Sequence, residues 1–478
     1  MWRSHPRSRY RSMSGVRQPV KPRMTRRAFL QSSTAAGLGL VAGCNPAPPP
    51  GVIFKGWVYE PDLVRENLDY FERQTGIRVD YNAVSGNYHD KMVALHVGGA
   101  PMECCYVRDD DFAEWVEAGW LRPCDDLLAA DPDTSAATAD LFPYNLSSMT
   151  YGGKRYGLPY YTDFNIWIYN EPMLEAAGFD TPARTLDELT EQAIKVREAR
   201  VRTPTGDVIE YPIMLNFRQS VLGFLDWWTL NYASEATLFD EDLNPTFPDD
   251  EDRRAETILQ WLTDGIHRHR IISPSSLTAG QMRDHVASGR QVYGILNKYD
   301  LEYVNNRRNS AAADDELKRR GSDALHAKVY RMAPVPSISP DQHGTLGWTR
   351  MYCLTSRCRE DRMQDAWALM KFLGARDAEG EYYTARRWFR LRGLGFAYRS
   401  LLDDPDIVAQ TEQWGEIDKV REQSRHVRPR ENIKAPWFPD FKIYYQPEIQ
   451  KILLGQQSAR DGLGKIAQRC RQLIADWS

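Results

Sequence analysis

Cys44 closes the run Val41-Ala42-Gly43-Cys44, a setting that specifies a covalent reaction for its thiol. Small side chains at Ala42 and Gly43 leave the bond before Cys44 open to a peptidase, and the cysteine thiol then carries lipid. Upstream, Arg26 and Arg27 stand side by side in Thr25-Arg26-Arg27-Ala28-Phe29-Leu30, ahead of a mildly apolar stretch. Paired arginines, an apolar segment and a small-residue cleavage site read as a twin-arginine export signal over residues 1–44, closed by a lipoprotein box. The alternative is an uncleaved membrane anchor. Spanning a bilayer takes about 20 strongly apolar residues, and Ala28–Gly43 includes Gln31, Ser32, Ser33 and Thr34. The expected product is exported, held to a membrane by lipid on Cys44, and spaced from it by a proline-rich tether over 45–51.

Signatures of catalysis are few. The chain has no Gly-x-Ser-x-Gly elbow, no His-Glu-x-x-His and no phosphate loop ending in Gly-Lys-Ser/Thr. Glu60 and Asp163 could serve as the two carboxylates of a glycoside hydrolase, and that enzyme reading stays open as the rival class. Gly393-Leu394-Gly395 is too short for a dinucleotide fingerprint, and His267-Arg268-His269 ends a predicted helix and reads as solvated. Six cysteines follow Cys44 and allow fifteen pairings. Cys353 and Cys358 flank a short turn, whereas Cys104 and Cys105 point to opposite faces of a strand. None has zinc spacing, so Cys104, Cys105, Cys124 and Cys470 are expected to be buried free thiols, with no metal or cofactor.

The elements that position these residues alternate between two periods. Val52–Phe54 begins a strand whose exit is Trp57-Val58-Tyr59. Pro61 opens a helix with Val64, Leu68 and Phe71 on one face, and Gly76 stops it. Ile77, Val79 and Tyr81 alternate as a half-buried strand, a helix surrounds Met92 and Leu95, and Cys104–Val107 is a short buried strand. A helix carrying Phe112, Trp115 and Val116 follows. The pattern restarts at Ile166–Tyr169, with a capping box at Thr185 and Glu188. Strands at Tyr211–Leu215 and Val292–Leu296, and helices around Leu259, Met370 and Ile466, complete it. Residues from about Glu302 to His326 are polar and read as a surface insert. The fold class is α/β, two lobes with mostly parallel sheets flanked by helices.

Charge narrows the partners. The first 44 residues hold eight Arg, one Lys and no acid, so a net charge of −4 for the whole chain leaves about −13 for the rest. An acidic body excludes nucleic acid, whose phosphates need a basic face. Aromatic residues make up 11% of the chain, with 14 Trp and 24 Tyr, more than core packing alone needs.

The run Tyr156-Gly157-Leu158-Pro159-Tyr160-Tyr161-Thr162-Asp163, with Trp167-Ile168-Tyr169-Asn170 and Met173-Leu174-Glu175-Ala176-Ala177-Gly178-Phe179 after it, resembles the extracellular solute-binding proteins of sugar ABC importers. Asp69-Tyr70-Phe71-Glu72-Arg73-Gln74-Thr75-Gly76-Ile77, Gly86-Asn87-Tyr88 and Leu454-Gly455-Gln456-Gln457-Ser458-Ala459 fit the same family. The resemblance implies a two-lobed periplasmic-binding-protein-like fold of type II. Its first lobe is residues 52–163 and 336–395, its second 164–335 and 396–478, and the solute is trapped by a hinge between them. It also implies a monomer that delivers a sugar or oligosaccharide to a membrane permease without altering it. A sugar ring has apolar faces, which flat aromatic rings cover, and a rim of hydroxyls, which carboxylates and amides bind. On that basis the ligand-binding candidates are Trp57, Tyr59, Glu60, Asn87, Asp110, Tyr160, Tyr161, Asp163, Trp228, Tyr299, Trp348 and Arg350. Several have plainer readings. One of Trp57 and Tyr59 has core packing as its alternative, one of Trp227 and Trp228 packs inward, and Asp109-Asp110-Asp111 can simply cap the next helix. The family's usual Gly-Gly-aromatic step is Leu346-Gly347-Trp348-Thr349-Arg350 here. Arg350 in the cleft would favour an acidic or phosphorylated solute; otherwise it pairs with a nearby Asp or Glu. A polyol or glycerophosphate remains an alternative to a sugar.

Overall fold

The computed structural model describes residues 51–220, 223–280 and 282–477. The export signal with Arg26 and Arg27, the lipidation site Cys44 and the tether up to Pro50 lie outside the described residues. Gly51 and the strand β1 (Val52–Trp57) begin the body. The helix Pro61–Thr75 follows, with proline in its first turn and Gly76 at φ 73°, where a left-handed residue lets the chain leave the helix. Next come β2 (Val79–Val84), the helix Tyr88–Val97, β3 (Cys104–Arg108) and the helix Asp109–Glu117. These pair as β2-β1-β3, all parallel, as βαβ crossovers require.

The chain then builds a second half on longer strands. β4 (Gly157–Asn170) runs for 14 residues, nearly all buried. β5 (Ile213–Met214), β6 (Tyr293–Asn297) and β7 (Tyr330–Ala333) follow, and β8 (Thr345–Leu354) and β9 (Val427–Arg428) complete a nine-stranded sheet. The order is β2-β1-β3-β8-β4-β6-β5, with β7 beside β4 and β9 beside β8. β5 and β6 are parallel, like the first half. β4 and β8 are antiparallel to each other, and they carry the sheet from one lobe to the other. The amino-terminal part of β4 pairs with β8, and its carboxyl-terminal part pairs with β6 and β7.

Two apolar cores flank this sheet. One gathers Phe54, Leu68, Tyr106, Trp115 and Leu158 and continues under Ile166, Ile168 and Tyr330. The other gathers Trp167, Leu189, Trp227, Trp228, Leu259, Tyr293, Phe441 and Ile466. Ile166 and Ile168 join one core and Trp167 the other because successive strand side chains face opposite ways. The capping box forms as expected: the Glu188 N–H donates to the Thr185 hydroxyl at 3.2 Å and the Thr185 N–H to the Glu188 carboxylate at 3.2 Å.

Two expectations change. Residues 302–326 are not a polar surface insert. They include much of the helix Asp300–Asn305 and all of Ala311–Arg319, and Ala312, Ala313 and Leu317 pack into the first core. Both Trp227 and Trp228 are fully buried, since their helix is covered all round. His267 is exposed at the end of its helix, as expected, and its Nε2 lies 2.8 Å from the Leu453 carbonyl. All six cysteines of the described residues are free, five of them buried, and burial pushes the Cys124 and Cys470 thiols up to about 12. No described helix is long and apolar enough to cross a membrane.

Candidate functional site

By their pairings β1 and β6 run in opposite directions, and the turns beyond their carboxyl ends line one cleft of about 980 Å³. Such ends leave backbone and side chains free to meet a ligand. Trp57 closes β1, and Tyr59 and Glu60 form the turn into Pro61–Thr75. Glu60 adopts φ 46°, ψ 55°, a left-handed conformation unusual for a side chain larger than glycine's. Its carbonyl accepts the Val64 N–H at 3.1 Å, which begins the helix. Strain of this kind collects at functional sites, where the surroundings over-determine it.

Trp57 and Tyr59 stack at 5.5 Å with 17° between their planes, so both rings project from one face. Trp57 lies over Tyr106, and Tyr59 over Trp388. Tyr161 of β4 and Tyr299 beyond β6 join the lining. Burial pushes the Tyr59 hydroxyl up to about 12, so it stays a neutral donor. Trp414, buried but facing the cleft, has an indole N–H with no hydrogen-bond partner among the described residues.

Of the charged groups of the lining, Arg390 and Asp406 have no salt bridge among the described residues, and the others are paired. Arg392 Nη2 donates to the Glu60 carboxylate at 2.7 Å, and that bond holds the Glu60 pKa below its ordinary value. Arg283 Nη1 lies 3.4 Å from Asp300, and its guanidinium stacks over Tyr303 at 4.6 Å. Asn297 Nδ2 donates to the Tyr299 hydroxyl at 2.9 Å and to Asp300 at 2.8 Å. Burial nevertheless raises Asp300 to about 6, against those partners. His326 Nε2 sits 2.7 Å from Glu302; burial opposes ionisation of Glu302, but the bonds from His326 and Asn306 outweigh it.

Of the candidates named from sequence, the cleft brings together Trp57, Tyr59, Glu60, Tyr161 and Tyr299. The other seven lie elsewhere. Asn87 is exposed and donates to Asp90 at 2.7 Å. Asp110 is buried in an ion pair with Arg430 and another with Lys442 at 3.0 Å. Tyr160 packs edge-on against Tyr106, Tyr161 and Trp388. Asp163 is buried beneath the cleft, 3.7 Å from Lys298, and accepts the Phe164 N–H at 2.9 Å; burial raises it to about 6 against Lys298. Trp228 donates to the Tyr445 hydroxyl at 3.1 Å inside the second core. Trp348 is buried on β8, where its carbonyl accepts the Thr162 hydroxyl at 2.7 Å. Arg350 is buried and pairs with Asp109, the nearby-acid alternative. Asp109-Asp110-Asp111 thus begin a helix, and each carboxylate has its own base, Asp111 taking Arg108 at 2.7 Å and His89 at 3.0 Å.

Sequence reasoning passed over Asn216, Arg283, Asn297, Asp300, Glu302, Tyr303, His326, Arg392 and Trp414. Asn297 and Asp300 flank the strand end that marked Tyr299, so the same rule could have found them. The others reach the cleft from helices and turns with no local signal. Gly393-Leu394-Gly395 has a structural use instead. Gly393 ends a helix at φ 68°, and Gly395 passes so close to the Thr162 carbonyl that a Cβ there would clash.

The fold has solved counterparts. A maltose-bound MalE3 of T. maritima is 18% identical, with a TM-score of 0.70 over 88% of this chain and 99% of that one. A tagatose-bound ABC transporter solute-binding protein of Thermotoga lettingae is 21% identical, with a TM-score of 0.68 over 89% and 99%. A ribitol-bound solute-binding protein of Agrobacterium radiobacter K84 is 14% identical, with a TM-score of 0.68 over 90% and 100%. At such identities they establish the two-lobed fold of the type II periplasmic binding proteins. The family model for bacterial extracellular solute-binding proteins matches residues 57–379, about two thirds of the sequence, and the chain belongs to that family.

Proposed function

We propose that the protein binds a neutral carbohydrate or polyol in the cleft, by closure of two lobes, and delivers it unaltered to an ABC import permease. One observation carries the reading: the stacked Trp57–Tyr59 platform faces a wall in which three acids are each paired with a base. Stacked rings suit the apolar face of a sugar or the carbon chain of a polyol. The pairs Glu60–Arg392, Asp300–Arg283 and Glu302–His326 retain lone pairs and N–H groups for hydroxyls. The lining's other charged residues, Arg390 and Asp406, are one base and one acid with no salt bridge among the described residues, so bases do not outnumber acids in the cleft, and Arg350, which would have added one, is taken by Asp109.

Lobes at 52–163 with 336–395 and at 164–335 with 396–478 place the turns of β1 on one jaw and those of β6 on the other. A ligand that touches both biases the pair toward closure. The solved counterparts hold maltose, tagatose and ribitol, which supports this ligand range. A carboxylate pair for hydrolysis gains no support, since Glu60 is paired with Arg392 and Asp163 is sealed beneath the cleft. In this reading the protein is a monomer, exported through its arginine pair and lipid-anchored at Cys44.

Thermal melting against neutral sugars, polyols and their acidic or phosphorylated relatives tests the proposal. A true ligand at a hundredfold excess over its Kd stabilises by about 2.7 kcal/mol. One neutral ligand should raise the midpoint and be recovered intact, and Trp57→Ala should cut its affinity by roughly tenfold or more. A shift only with acidic ligands, or a cleaved product, would overturn it.

A further inference from the structure

A second cavity of about 360 Å³ meets the cleft. Arg390, Asp406 and Gln410 line both, so the two adjoin at these side chains. From there the second cavity follows one face of the helix Tyr383–Arg392. Tyr383, Arg387 and Arg390 stand at i, i+4 and i+7, a stripe about 10 Å long. Its far end is a pair of tyrosines, Tyr70 and Tyr383, stacked at 4.5 Å with 12° between planes. Both are half-buried, so the stack has a firm seat as well as a free edge toward the groove.

Neighbouring charges fix the stack in place. Arg387 Nη1 donates to the Tyr383 hydroxyl at 3.1 Å and its other arm pairs with Glu66. Arg386 is taken up by Asp404 and Glu381. Glu379 and Asp406, by contrast, are exposed and form no salt bridge among the described residues. The groove therefore repeats the chemistry of the cleft, stacked aromatic rings beside carboxylates with free lone pairs, and it adjoins the cleft. A monosaccharide held at Trp57 and Tyr59 has no use for it.

We propose that this groove is an outer subsite for the distal units of an oligosaccharide whose inner units occupy the cleft. The inference rests on the carbohydrate reading of the cleft and adds the ligand's length. It makes Tyr383 and Glu379 determinants of chain-length preference.

Titration calorimetry on the purified protein, with an oligosaccharide series from one to six units of the sugar that shifts its melting point, tests this. Affinity should rise with length beyond the units that fill the cleft. Tyr383→Ala should abolish that rise, a loss of roughly three- to tenfold for the long members, and leave the shortest ligand unchanged. Tyr383→Phe keeps the ring and should keep the length dependence, which separates loss of the platform from loss of fold. Glu379→Ala, on an exposed loop that cannot unfold the lobe, should weaken only the long members. Equal affinity at every length, or equal losses at every length in both Tyr383→Ala and Glu379→Ala, would overturn the outer subsite while the cleft stands. A protein that binds no saccharide at all would remove the cleft reading, and the subsite with it.

Discussion

Asp226 sits in the first turn of the helix Leu225–Ala233, fully buried, and accepts the Asn216 N–H at 2.7 Å. No base is paired with it among the described residues, and burial raises its pKa to about 7. The folded protein therefore holds this proton longer than the unfolded chain does, so the native state loses stability as pH rises from about 4 to about 7. Asp226→Asn keeps the acceptor and removes the ionisation. The variant should match the parent near pH 4 and exceed it at pH 8 by on the order of 3 kcal/mol, read from urea unfolding at both pH values. Equal stabilities at pH 8 would show that the carboxylate is hydrated in the native state. Cleft residues obey the same physics with a different outcome. Asp300 is raised to about 6 although Asn297 and Arg283 touch it, whereas Glu60, nearer solvent and bound to Arg392, is held low. Position, not residue type, separates these carboxylates.

The helix Asp109–Glu117 shows what an element adds. Three consecutive acids at its amino terminus suit the helix dipole, but all three are buried, and burying charge is costly unless each is matched. Arg350 reaches Asp109 from β8, Arg430 and Lys442 reach Asp110 from near and within the helix Phe438–Leu453, and Arg108 and His89 hold Asp111. Those partners put Asp109–Glu117, part of the first core, in contact with an element of the second. Arg430 and Lys442 also lie over the Phe438 ring at 4.7 and 5.5 Å. Asp110→Asn strands two buried cations and should cost about 3–5 kcal/mol in urea unfolding. Adding Arg430→Met and Lys442→Met to it should recover much of the loss, because the stranded cations go too. A near-neutral Asp110→Asn would mean that water already reaches the site.

At the scale of the whole molecule, β4 and β8 tie the two lobes together, and each lobe otherwise has its own parallel strands. Motion that preserves those two strands is a hinge rotation, and the cleft at the strand ends is what it opens and closes. Small-angle scattering should therefore show a smaller radius of gyration with saturating ligand than without it. An unchanged curve at full occupancy would place binding within one rigid shape.

Much of this was legible in the sequence, where the information is local. Pro61 and Gly76 bracket a helix because proline suits a first turn and glycine a left-handed exit; Thr185 and Glu188 cap one because their side chains reach the adjacent backbone. Trp57 and Tyr59 stack because the turn beyond β1 brings Tyr59 over the last strand residue, which strand alternation alone does not fix. The family run around Tyr161 carried the fold class. Partner choice was not local. Asp110 meets bases 320 and 332 positions away, and Arg350 meets an acid 241 positions away. Nothing in a run of three aspartates says which cation will arrive, or that it will displace solvent. The residues near 302–326 look like solvated surface because their charges dominate the composition, yet tertiary packing buries Leu317 and turns Glu302, Tyr303 and His326 toward the cleft. The sequence by itself determined those strands and helices whose signals are local, and it marked Trp57 and Tyr59 as candidates at the end of β1. Only the tertiary structure decided which charges face the cleft, because pairing and desolvation are set by neighbours in space, and the chain brings those together from its far ends.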